Sequence, residues 1–62
     1  MTKDEAKGLI HALAAQGSAA LQMYFAGRDP ADKAEFLDCA RKVRRLAAAR
    51  DTGTLHLLGD EI

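Results

Sequence analysis

The sequence predicts an all-α protein: an antiparallel two-helix hairpin with a short C-terminal third segment, which dimerises into a four-helix bundle. Residues 8–27 contain no Asp, Glu, Lys or Arg, although 29% of the 62 residues are charged. A Pro-containing break at 28–30 separates two stretches with helical spacing of apolar residues. Each apolar face is broad, and a helix that is short of charge on several sides usually has more than one neighbour.

Helix 1 is expected over about 3–26. Thr2 and Glu5 have the spacing of a capping box, in which the Thr side chain accepts the Glu amide. Gly27 suits the left-handed residue that follows a helix. The predicted apolar face consists of Ala6, Leu9, Ile10, Leu13, Gly17, Ala20, Leu21, Tyr24 and Phe25.

The turn is expected at 27–29 and helix 2 at about 30–50. Asp29 is a good N-cap, and Pro30 then occupies the first helical position, where its missing N–H costs nothing. A connection this short folds the two helices back on each other, and we expect Gly17 to face Ala40. The apolar face of helix 2 is Phe36, Cys39, Ala40, Val43, Leu46 and Ala47.

The small size of the chain favours association. A single domain of residues 1–62 buries a modest share of its surface, and scaffolds of this size usually gain stability from disulfides, a metal or a partner. Cys39 is the single cysteine, so no disulfide can form within one chain. The apolar arc is about half the helix circumference, which one neighbouring helix cannot cover. Dimerisation, or docking of the hairpin on a larger partner, would cover it.

The tail, 51–62, is predicted to begin where Gly53 ends or kinks helix 2. Residues 54–58 are expected to form a third helical turn that covers the open end of the hairpin. The alternative is a free peptide that becomes ordered on a partner. Residues 60–62 are expected to fray.

A protein contact surface is predicted on the uncharged outer side of helix 1. Its packing positions are Ala12, Ala15, Ala19 and Gln22, and Leu37 is added from helix 2 because it lies outside the core face. The predicted function is therefore that of a small non-enzymatic interaction protein (an adaptor, inhibitor or chaperone-like regulator) whose partner is a second copy, another protein, or both.

Four cations on helix 2 offer a second function. Arg41 and Arg45 are one turn apart, and Lys42 and Arg44 flank them, so the stripe could bind RNA, DNA or an acidic protein surface. The favoured interpretation is a solvated face near the negative end of the helix dipole. Nucleic acid is the less favoured partner because the stripe has no aromatic side chains for base stacking.

Other function classes find little support. We expect no catalytic residues, cofactor or metal, because a His11–Cys39–His56 site would need positions that the spacing does not enforce. The net charge is zero, which gives no overall attraction to nucleic acid or anionic lipid. The polar residues within 8–27 argue against a membrane span, and the lone cysteine is typical of a cytoplasmic protein.

Two families of helical hairpins are similar in layout. The opening Met1-Thr2-Lys3 with Glu5 and the acidic turn resemble the Rop family of RNA-binding dimers. Rop proteins bind RNA through aromatic and basic residues of helix 1, where this chain has Ile10, Ala14, Ser18 and Phe25, so the resemblance implies architecture alone. Residues 27–58 resemble the small hairpin co-chaperones of type III secretion needles.

Overall fold

Two long helices fold back on each other in the computed structural model, which describes residues 1–58. Helix α1 spans Lys3–Gly27, helix α2 spans Pro30–Thr52, and a short 3-10 helix, η1, spans Leu55–Leu57. The hairpin is elongated, with principal extents of 39 × 17 × 16 Å. The predicted all-α hairpin with a short third segment is confirmed.

The start of α1 follows the predicted cap, and its end does not. The Thr2 hydroxyl accepts the Glu5 amide at 3.1 Å. At the other end Gly27 is still helical, and Arg28 takes the left-handed conformation, with φ 56° and ψ 30°. The assignment of Gly27 as the left-handed residue was therefore wrong. Such a conformation costs a non-glycine residue about 1–2 kcal/mol, so other contacts of Arg28 must offset it.

Helix α2 begins as predicted and continues to Thr52, two residues beyond the expected end. The Asp29 carboxylate accepts the amide of Ala31 at 2.9 Å, and Pro30 is the first helical residue. At the C-terminus Gly53 has φ 72°, and the Thr54 amide donates to the Ala49 carbonyl at 2.8 Å. Together with the Gly53 bond to Arg50, this is a Schellman motif, so Gly53 ends α2 and does not kink it.

The core runs along the seam between the helices. At the end of the hairpin opposite the turn, the third segment covers it. Leu46 is the largest side chain without exposed surface among residues 1–58. The buried cluster is Ala6, Leu13, Cys39, Leu46, Ala49, Leu55 and Leu58. Leu55 and Leu58 are 6% and 9% exposed, so the third segment covers the hairpin end instead of extending freely. The expectation that 60–62 fray concerns residues outside those described.

The helices approach closely at Gly17. A Cβ atom placed there would lie 3.2 Å from the Cys39 Cβ and 3.8 Å from Phe36 Cδ1. Gly17 thus faces Cys39, whereas the spacing predicted that it faces Ala40. Compared with that prediction, α2 is rotated by about one residue, and Ala40 lies at the edge of the seam.

Candidate protein-interaction surfaces

One flank of the helix seam is closed. Midway along the hairpin, Gln16 Nε2 donates to Glu35 Oε1 across the seam at 2.9 Å. Toward the open end, Leu9 packs against the core, and Ala49 is 5% exposed beside the third segment. Polar side chains and the third segment therefore cover this side of the hairpin, which we call the closed flank.

The other flank is an open apolar groove of about 350 Å³. Glu35 on the closed flank and Arg44 on the groove are nine residues apart, which places them on opposite sides of α2. The centre of the groove is formed by small side chains of both helices, among them Ala14 and Ala40. Its lining residues are Leu13, Ala14, Gly17, Ser18, Phe36, Cys39, Ala40, Val43 and Arg44. Among the described residues, Arg44 is the one charged side chain that lines the groove.

Large apolar side chains continue this flank toward the turn. Phe25 is 59% exposed and Leu37 is 52% exposed. Phe25 follows Ser18 by seven residues, or about two turns, so it lies on the groove side of α1. Leu37 precedes the groove residue Arg44 by seven residues, so it lies on the groove side of α2. The prediction that Phe25 belongs to the core face was wrong, whereas Leu37 is exposed, as a contact role requires.

Arg28 organises the aromatic residues at the turn. Its guanidinium lies 5.5 Å from the ring centroids of both Tyr24 and Phe25. The two rings are themselves 6.0 Å apart. A cation over an exposed ring is worth about 0.5–1 kcal/mol, enough to offset much of the backbone strain at Arg28. The sequence signal for this cluster, an Arg three and four residues after two aromatic residues, was missed.

The four predicted contact positions of helix 1 do not reach the groove. Ala12, Ala15, Ala19 and Gln22 are all exposed. Their spacing places them on the outer side of α1, away from the buried Leu13. The structure therefore separates this outer face from Leu37, which lies on the groove flank of α2.

The basic stripe on α2 is partly neutralised by Asp38. Asp38 accepts Arg41 at 2.7 Å and Lys42 at 2.9 Å. The hydrogen bond from Arg41, followed by that from Lys42, lowers the pKa of the Asp38 carboxyl. Arg44 instead lies at the groove, and Arg45 has an interaction partner of its own. The prediction of a basic stripe did not include Asp38, the acid directly before Cys39.

Within residues 1–58, no group of three or more His, Cys, Asp or Glu side chains is arranged to hold a metal ion. Cys39 is a buried free thiol. No helix in this part of the chain combines the length and the apolar character needed to cross a membrane.

The fold and its surfaces define a small all-α hairpin with one closed flank and one apolar flank. Comparison with protein-family models, curated proteins and solved structures finds no match to this chain.

Proposed function

We propose that this chain is a small non-enzymatic protein-interaction module that acts through apolar helix faces, and that it works as a homodimeric four-helix bundle. The observation that carries the proposal is the difference between the two flanks. A hairpin that folded to work alone would gain by covering both sides of its seam, yet within residues 1–58 the polar pair and the third segment cover the closed flank alone.

A second copy is a suitable occupant of the groove. Four-helix bundles are built from helices whose apolar faces meet in one central core. The half-buried Ile10, Phe36 and Val43, together with the exposed Leu37, would join such a core from both copies. The small residues at the groove centre would let the helices of the two copies approach closely.

Adjacent alanines on α1 give a matched test of this proposal. Ala14 lines the groove, whereas Ala15 lies on the outer face, and both are exposed in the single chain. We expect Ala14→Glu to weaken dimerisation at least about 100-fold, because a carboxylate without a partner would enter an apolar interface. We expect Ala15→Glu to dimerise like the wild type. Sedimentation over a concentration series measures both, and circular dichroism checks that both remain helical.

The opposite pattern would support the sequence prediction that Ala12, Ala15, Ala19 and Gln22 form the self-association surface. Retention of the dimer by both variants, or a wild-type chain that stays monomeric at all concentrations, would contradict the proposed bundle. Loss of a different protein partner in Ala15→Glu, with the dimer intact, would assign the outer face to that partner.

Binding of nucleic acid through the basic stripe remains the alternative function, and Asp38 provides its test. If Arg41 and Lys42 contacted phosphates, Asp38→Asn would release both cations and strengthen RNA binding, and Arg41→Ala/Arg45→Ala would abolish it. We expect neither variant to bind RNA in a salt-dependent way, measured by fluorescence anisotropy at two ionic strengths. Wild-type binding that weakens steeply with salt would favour the alternative.

A further inference from the structure

We infer that the groove binds an amphipathic helix of another protein, whose apolar face is bordered by Asp and Glu side chains. This inference rests on the proposed role of the groove as a protein-interaction surface and names a further partner for it, one that displaces the second copy of the chain. It follows from the charges along the edges of the groove and from the shape of the groove.

Positive charge borders the groove on both helices. Arg44 lines it directly, and Lys33 precedes Arg44 by eleven residues, or about three helical turns, on the same side of α2. On α1, Lys7 precedes the groove residue Ala14 by seven residues, and Lys3 lies one turn before Lys7. Among residues 1–58, none of these four cations has an ion-pair partner, so all four are available to an acidic ligand.

Acidic side chains do not offset these cations. Helical spacing places two acids on the groove flank, Asp32 and Asp51. Asp51 pairs with Arg50 at 3.7 Å. Asp32 lies in the first turn of α2, where it interacts with the positive end of the helix dipole. The groove flank is therefore positively charged, although the chain as a whole has a net charge of zero.

A second copy of the chain fits this flank in apolar character but not in charge. It has the same cations, with Lys33 toward the turn and Lys7 toward the open end. Like charges would therefore meet in either orientation of the second copy, which weakens an interface. A helix with acidic borders keeps the apolar contacts and replaces the repulsion with attraction.

The shape of the groove favours a helix over a lipid surface. The groove lies between two helices, and its centre is walled by Ala14, Gly17 and Ala40. A helix laid along it can insert apolar side chains spaced one turn apart, as amphipathic helices do in grooves of other proteins. A flat bilayer would leave the hollow empty.

Two synthetic helical peptides test this inference. Both have the same face of Leu and Ala, which is bordered by Glu in one peptide and by Lys in the other. At low salt we expect the Glu peptide to bind at least about 10-fold more tightly than the Lys peptide, and at high salt this preference is expected to shrink. Fluorescence anisotropy measures both affinities. Sedimentation with excess Glu peptide is expected to show one hairpin with one peptide.

Two double variants with equal changes in net charge locate the binding. Lys33→Gln/Arg44→Gln removes cations from the groove edge and is expected to weaken the Glu peptide about 5-fold or more. Arg41→Gln/Lys42→Gln removes the two cations that pair with Asp38 away from the groove, and it is expected to weaken the peptide less than about 2-fold. Circular dichroism checks that both variants remain helical.

The outcomes separate this inference from the proposed dimer. Equal affinities for the two peptides, equal losses in the two double variants, or a Glu peptide that binds without displacing the second copy would each overturn the inference. If neither peptide binds and the chain is dimeric, the inference alone fails, whereas peptide binding by a chain that is always monomeric removes the dimer alone. Binding to phosphatidylglycerol vesicles without binding of the Glu peptide would assign the flank to an anionic membrane and overturn the inference as well.

Discussion

We expect Leu46→Ala to lower the free energy of unfolding by about 3 kcal/mol, the usual result of emptying a buried leucine site in a packed core. Leu46 has no exposed surface and belongs to the cluster that also contains Ala6, Ala49 and Leu55. Its neighbours include alanines, whose side chains are too short to fill the cavity that the substitution would leave. A domain of this size is stable by about 3–9 kcal/mol, so the variant loses a large share of its stability.

Leu57→Ala is the matched control for this change. Leu57 is 72% exposed, and removal of the same atoms there is expected to change stability by less than about 0.5 kcal/mol. Urea unfolding followed by circular dichroism measures both variants at one protein concentration, because the proposed dimer would make stability depend on concentration. Equal losses for the two variants would contradict the assignment of Leu46 to the core.

We expect Gly17→Val to destabilise the hairpin by about 2 kcal/mol through overpacking of the helix seam. The new Cβ alone would lie 3.2 Å from the Cys39 Cβ, an atom fixed to the backbone of α2. A side-chain rotation cannot move that atom away, so the helices themselves must separate. The gain in helix propensity on replacing glycine is only a few tenths of a kcal/mol for valine and does not compensate.

The same replacement at Gly8 separates crowding from propensity. A Cβ at Gly8 would meet nothing within 4 Å, so Gly8→Val is expected to be neutral or to stabilise by a few tenths of a kcal/mol. Thermal unfolding at equal protein concentration compares the two valine variants with the wild type. If Gly17→Val proved as stable as Gly8→Val, the close approach of the helices at Cys39 would be refuted.

Local signals in the sequence were sufficient to predict both helices and the residues at which they begin. Asp29 and Thr2 accept backbone amides at the positions where a short polar side chain precedes helical periodicity, and such caps act within a few residues. The left-handed turn residue was not predictable in this way. Gly27 and Arg28 are consecutive, and the choice between them depends on two aromatic rings that Arg28 reaches only in the folded turn.

Nonlocal features were harder to predict because periodicity fixes a face only broadly. An apolar arc of about half a circumference leaves α2 free to rotate by one position, so either Ala40 or Cys39 could have met Gly17. Whether a flank of the hairpin stays open also depends on where the tail lies. The sequence indicated that 54–58 cover the hairpin end, but only the three-dimensional path of residues 53–58 determines that this part of the chain leaves the groove open.

Pro30 disfavours domain swapping between copies of the chain. Without a barrier at 28–29, α1 and α2 could merge into one rod of about 50 residues and 75 Å, and two such rods could pair by swapping halves. Proline disfavours the helical conformation at the residue before it and provides no amide to continue the ladder. A single ring at the first position of α2 therefore favours a polypeptide that is doubled back on itself, so that the proposed dimer would join finished hairpins.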